Sequence, residues 1–234
     1  MMNNSAGRSL AFTCSEGGRS TEREIPIRHC VIAGWTGRDA AAIEKHIIEL
    51  EAIGVKRPAS TPIFYRVSAT RVTTDDVIEA VGTAASGEVE FVLVQFDGRL
   101  WVGAGSDHTD REFEVHAVTA SKQMCDKPVA PELWLFDDVA DHWDRLVLRS
   151  FAVTGGERAP YQEGPVTAML DPRDLIKRYT EGGALAEGTI MFCGTLAAHG
   201  GIRAADRFEM ELEDPLRVKK IQHGYSVSAL PILG

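Results

Sequence analysis

No apolar run in this sequence approaches the roughly 20 residues that a membrane-spanning helix requires, so no membrane role is expected. No basic run offsets the formal net charge of −9, which opposes adhesion to a phosphate backbone and argues against a nucleic-acid partner. Cysteine is sparse, and Cys14, Cys30, Cys125 and Cys193 show no CxxC spacing. Neither a zinc knot nor a disulfide framework is therefore expected. The first residues hold no continuous apolar signal core, and neither an internal repeat nor a low-complexity tract occurs. A reducing cytoplasm is the expected compartment.

What remains is ordinary for a globular chain: 44% hydrophobic and 25% charged residues, enough to fill one large core. Residues 1–26 read as a polar leader with one short strand at 9–13 and a mobile loop, ahead of a single domain over 27–234. Strands are expected at 29–33, 62–67, 146–153, 189–193, 207–212 and 216–227. A helix is expected over 38–53, where Ile43, Ile47, Leu50 and Ile53 recur at helical spacing and Gly54 stands at the C-cap position. A second helix is expected over 171–179, with Pro172 in its first turn. Residues 74–80 read as a short capped helix or turn. Strands outnumber helices and are often joined by hairpins, which predicts an α+β, mainly β fold with a mixed, mostly antiparallel sheet.

The most informative stretch is GEVEFVLVQFDGRLWVGAGSDHTDRE, residues 87–112. Asp97-Gly98 between two apolar runs predicts a two-residue type I′ hairpin turn. On that register Glu90 faces Gly105 and Glu88 faces Asp107. Side chains directly opposed across a hairpin share one face, so three carboxylates converge at its open end. They repel one another unless a cation or protons neutralise them. A Glu-x-Glu strand can instead be a solvated face, and a slip of one residue would send Asp107 to the other side. Against the solvated reading, Phe91 to Val94 is apolar on both faces, as in a buried central strand. An all-oxygen ligand set selects Mg²⁺, with Mn²⁺ or Ca²⁺ as alternatives. On this reading, deleting Asp107 relieves repulsion and leaves the metal-free protein about as stable as before.

Six segments in chain order then resemble the fumarylacetoacetate hydrolase superfamily. GWTGRDAAAIEKHIIELEAIG resembles its lid, with an HxxE pair at His46 and Glu49. PIFYRVSA resembles its strand ending in a basic residue, here Arg66. GEVEF resembles its E-x-E strand, and GAGSDHTDRE its G-x-x-x-N-D-x-S-x-R-D stretch. SKQMCDK resembles its K-S-x-D stretch, and LAEGTIMFCGTLAAHGG its C-terminal glycine-threonine segment. Three departures stand out: Ser106 replaces the asparagine, Leu196 replaces the proline after Gly-Thr, and the segment between E-x-E and Asp107 is short.

The resemblance implies a β-roll or barrel-like core and a Mg²⁺-dependent enzyme for a small acidic substrate, a 2-oxo acid or 1,3-dicarbonyl. Glu88, Glu90 and Asp107 would ligate the metal. Lys122 would sit by the developing enolate charge, and His46, oriented by Glu49, would move the proton. Arg66, Gly194 and Thr195 would contact substrate. Hydrolysis of a C–C bond is the implied reaction. Hydration, dehydration and decarboxylation of a 2-oxo acid use similar chemistry and stay open, as does a metal-binding relative without turnover. A homodimer is also implied.

Overall fold

The computed structural model of the protein describes residues 7–52 and 57–233, the side chains of His46, Glu49, Leu50 and Ala52 excepted. Two large sheets carry the fold. The larger has eight strands, in spatial order Arg19–Ile27, Arg8–Glu16, Glu132–Leu135, Arg99–Ser106, Val89–Phe96, Thr189–Thr195, His29–Gly34 and Ile63–Val67. The second, with five strands, runs Glu157–Pro165, Val147–Thr154, Arg207–Asp214, Lys219–Leu230 and Val77–Val81. Most neighbours are antiparallel. The parallel pairs within these sheets join Arg8–Glu16 to Glu132–Leu135, Thr189–Thr195 to His29–Gly34, and Lys219–Leu230 to Val77–Val81. Helices are few and short, so the fold is α+β and mainly β, as the strand count implies.

The two faces of the larger sheet are buried differently. Val31, Phe91, Leu93 and Val102 form one core with Leu148, Met210, Leu212 and Ile221 of the five-stranded sheet, so that face is covered by a second layer. Ile32, Val92, Val94, Trp101, Ile190 and Phe192 form the other core, joined by Leu10, Phe12, Ile25 and Ile27 from the same sheet. All of these are buried although the five-stranded sheet contributes nothing to the cluster, which takes in only Ala69, Val72 and Val129 from outside the larger sheet. A flat sheet would leave them in water, so the larger sheet curls around its own side chains. The central hairpin, fourth and fifth in the strand order, runs through the middle of this arrangement.

Two sequence expectations give way here. The supposed polar leader is, from Arg8 on, an in-register hairpin within the sheet, pairing Arg8 with Ile27 through to Glu16 with Arg19. Leu10, Phe12 and Cys14 alternate with more polar residues and are buried, a period-two signal that the high polar content masked. Gly17 and Gly18, both at positive φ (54° and 81°), make the turn. Residues 77–81 form an edge strand, with Ile78 and Ala80 buried and Val77, Glu79 and Val81 exposed. The Thr-Thr-Asp-Asp ahead of them suggests a helix cap, but Thr73 and Asp75 bond each other in a turn instead.

The expected helix at 38–53 is seen as Ala40–Ala52; Ile53 and Gly54 lie outside the described residues. Asp39 Oδ1 caps it by accepting from the Ala41 and Ala42 N–H groups (2.9 and 3.1 Å). Of its described side chains only Ile47 is buried and Ile43 half-buried.

Candidate metal centre

Strand pairing follows the register that Asp97-Gly98 dictates. Phe96 pairs with Arg99, Glu90 with Gly105 and Val89 with Ser106, and both turn residues have positive φ (54° and 68°). The Asp107 N–H donates to the Glu88 carbonyl (3.0 Å), closing the open end. Glu90 shares the face of Val92 and Val94, the interior of the curled sheet. Gly105 opposite it admits no Cβ, because Phe192 and Val92 side-chain atoms would each stand 2.7 Å away.

Glu88, Glu90 and Asp107 each offer a carboxylate oxygen, all within 4.8 Å of one another. Oxygen ligands of a hard cation lie about 2.0–2.6 Å from it, so two ligands on one ion are at most roughly 4–5 Å apart. The spacing and the all-oxygen chemistry therefore fit one divalent ion. Glu90 is 2% exposed and Asp107 fully buried. Burial, then the charges of Asp107 and Glu88, pushes the Glu90 carboxyl well above its usual range. A carboxylate set that resists full ionisation calls for positive charge.

Glu90 is also held by backbone geometry. Pairing of Thr189–Thr195 with the hairpin shifts register between Phe192 and Thr195, and Gly194 sits there at φ +98°. This bulge turns the Gly194 N–H onto Glu90 Oε2 (2.6 Å). A Cβ at Gly194 would collide with Thr36 Oγ1 as well as require a left-handed backbone. Gly194→Ala is therefore expected to cost at least about 1–3 kcal/mol and to release Glu90. Chemical unfolding of the metal-free variant checks this, and unchanged stability would contradict it. Thr195 Oγ1 donates to the Val89 carbonyl (2.7 Å), and Gln162 Nε2 donates to Thr195 Oγ1 (2.7 Å). Gln162 Oε1 accepts from the Val89 N–H (2.9 Å), so the second sheet clasps the hairpin strand.

Cations surround the carboxylates. Lys122, on the helix Val118–Met124, is buried, bonds Asp107 Oδ2 and lies 3.7 Å from Glu88. Lys127 Nζ, fully buried, lies 3.2 Å from Asp107 Oδ1 without hydrogen-bond geometry, and donates to the His108 and Cys125 carbonyls (2.5 and 3.1 Å). Arg111 reaches Glu88 (3.3 Å) and Glu114 (2.9 Å) and donates to Ser86 Oγ (2.7 Å). Burial alone would raise the Asp107 carboxyl; Lys122 and Lys127 outweigh it and hold that carboxyl below its usual value. Burial likewise opposes the charge on Lys122, but Asp107 and Glu88 outweigh it and hold the lysine protonated.

Next to Asp107, His108 is kept neutral: burial, then Lys127 and Arg111, lowers its pKa to about 3. Its Nδ1 lies 3.1 Å from Tyr225 Oη, which is 2.7 Å from Ser106 Oγ, which accepts from the Glu88 N–H (3.1 Å). Ser106 thus works together with a tyrosine of the five-stranded sheet. A Cβ on Gly87 would meet that tyrosine oxygen at 2.6 Å.

The structure therefore brings together Glu88, Glu90, Asp107, Lys122 and Gly194, with Thr195 bracing the strand behind them. Arg66 has other described partners: Tyr179 Oη (3.0 Å) and His29 Nδ1 (3.1 Å). It alternates with Tyr65, whose ring is 6.0 Å from Lys122 Nζ, so Arg66 and Tyr65 point to opposite faces. The side chains of His46 and Glu49 lie outside the described residues. Sequence reasoning passed over Lys127, Arg111, Gln162 and Tyr225. Arg111 stands within the quoted GAGSDHTDRE motif, but nothing local marks Lys127, which precedes Pro128 like any surface lysine.

The profile of the family described as "Protein of unknown function (DUF2848)" matches residues 33–225. No curated protein matches. Among solved structures, Cg1458 superposes with a TM-score of 0.62 at 18% identity, covering 92% of this chain and 83% of that one. A 2-keto-3-deoxy-D-arabinonate dehydratase complexed with magnesium and 2,5-dioxopentanoate gives 0.61 at 14% identity, covering 92% and 79%. The 4-oxalocrotonate decarboxylase of Pseudomonas putida G7, complexed with calcium and acetate, gives 0.53 at 13% identity, covering 85% and 76%. These are likenesses of fold, and the fold is that of the fumarylacetoacetate hydrolase superfamily.

Proposed function

The chain belongs to the DUF2848 family, and from that premise we propose that it is a divalent-metal-dependent enzyme for a small 2-oxo acid or 1,3-dicarbonyl. The observation that carries this reading is the set of three carboxylates on one hairpin, two buried and one half-buried, with a lysine against two of them. Glu88, Glu90 and Asp107 would hold Mg²⁺, with Mn²⁺ or Ca²⁺ as alternatives, and the ion would supply Lewis acidity toward the substrate's carbonyl and carboxylate oxygens. Lys122, kept charged by Asp107 and Glu88, would offer an ammonium to negative charge developing on the substrate's oxygens. Gly194 fixes Glu90, and Thr195 and Gln162 fix the strand that carries it, so the donor set is pre-organised.

In the finer reading His46, oriented by Glu49, takes the proton from water for hydrolysis of a C–C bond of the acylpyruvate type. Arg66 would grip a distal carboxylate only by leaving Tyr179 and His29 and crossing from the face opposite Tyr65 and Lys122. A second reading, dehydration or decarboxylation of a 2-oxo acid on the same groups, draws support from the dehydratase and decarboxylase that share the fold. Purified protein with Mg²⁺, Mn²⁺ or Ca²⁺ should be assayed against acylpyruvates, oxaloacetate and sugar-derived 2-oxo acids. Cleavage of an acylpyruvate to two acids supports hydrolysis; loss of water or CO₂ without C–C hydrolysis replaces it with the lyase reading. No divalent-dependent turnover on any of them would sink both. A cytoplasmic site of action accords with four buried, free cysteines. A homodimer is also proposed, and a monomer mass by light scattering at micromolar concentration would end that idea.

A further inference from the structure

Lys127 is an unusual residue to find at 0% exposure, because a buried ammonium loses its hydration and persists only with compensation. Its compensation is specific. Two carbonyls, from His108 and Cys125, fix the ammonium from the chain on either side, and Asp107 Oδ1 faces it at 3.2 Å. The short strand Lys127–Pro128 pairs with Val72–Thr73, which locks the backbone at that point. Unlike Lys122, whose Nζ touches two carboxylates, Lys127 touches one and has no described route away from it.

The charges in contact can be counted. Glu88 and Asp107 pair with Lys122, Lys127 and Arg111, Glu90 stands within 4.8 Å of both carboxylates, and Glu114 shares Arg111 at the rim. A divalent ion added to this set leaves an excess of one positive charge. Without Lys127 the same set, ion included, is neutral. We propose that Lys127 is a positioning residue: a fixed positive charge behind Asp107 that loosens divalent-metal binding and makes the loaded site prefer an anionic ligand over a neutral one. The inference rests on the metal reading above and adds the anionic class of ligand that the loaded site prefers.

The test uses Mn²⁺ alone, followed by free-ion electron paramagnetic resonance, and then oxalate as the dianion. In Lys127→Met or Lys127→Gln, the Kd for Mn²⁺ is expected to fall about tenfold or more, since a like charge this close is removed from a low-dielectric site. Oxalate binding to the Mn²⁺-loaded variant is expected to weaken about tenfold. A lysine that merely fills space would move neither constant, and unchanged or weaker Mn²⁺ binding with unchanged oxalate binding overturns the proposal alone. Absence of Mn²⁺ binding in the wild type overturns the metal reading and this proposal with it. Should the single variants be insoluble, the Mn²⁺-loaded wild type reads the anion preference by itself: oxalate is expected to bind at least about tenfold more tightly than its uncharged counterpart oxamide, and equal affinities overturn the proposal.

Discussion

Asp107→Ala is expected to abolish divalent-dependent turnover and also to destabilise the metal-free protein by about 3–5 kcal/mol, the range for stripping one partner from a buried ion pair. The sequence suggested little change in stability, because three carboxylates on one face repel. The structure points to a substantial loss instead. Asp107 is bonded by Lys122 and faced by Lys127, both buried, so its removal strands two ammonium groups rather than relieving one carboxylate. Denaturant unfolding in excess chelator reads the effect directly. A variant as stable as the wild type would show that the lysines find water or another partner, and that Asp107 is held for the metal alone.

His46→Ala is expected to retain Mg²⁺ and oxalate binding while kcat falls by about 10²–10⁴-fold, the usual contribution of a positioned acid–base group. The helix, rather than the side chain, supports this expectation. Ala40–Ala52 is capped by Asp39 but is packed, among its described side chains, by little more than Ile43 and Ile47. So small an apolar anchor gives a low cost of local opening. A Cβ added at Gly37 would meet the Ile43 side chain at 3.1 Å, so this glycine lies directly against the helix and is where a hinge is expected. Amide exchange over residues 34–54 should therefore slow when Mg²⁺ and oxalate are added together. Wild-type turnover in the variant, or exchange indifferent to the ligands, would reduce this helix to scaffold.

The hairpin was legible because its information is local: a two-residue turn with one favoured geometry fixes the register, and register fixes which carboxylates meet. The N-terminal hairpin carries the same kind of signal in Gly17-Gly18, but its strands are half polar, and that composition hid the alternation of Leu10, Phe12 and Cys14. The edge strand Val77–Val81 takes its identity from pairing with Lys219–Leu230, more than a hundred residues later, which no local window contains. The same holds at the site. Gly194 and Gln162 act on the hairpin across 104 and 73 residues of chain. Lys127 is near in sequence, yet only the tertiary fold shows that it is buried and aimed at Asp107.

The six charged groups of the centre, from Glu88 to Lys127, lie on one continuous stretch of chain. Asp107 meets Lys122 across 15 residues and the Glu88 segment across the hairpin itself. Short loops close quickly and at small entropic cost, while distant pairings wait for the rest of the chain. During refolding, the carboxylates and their counter-charges can thus meet before the segment bearing Gly194 arrives. The electrostatic liability of the site is settled locally and early, and the late-arriving bulge needs only to close around a cluster that already holds its counter-charges.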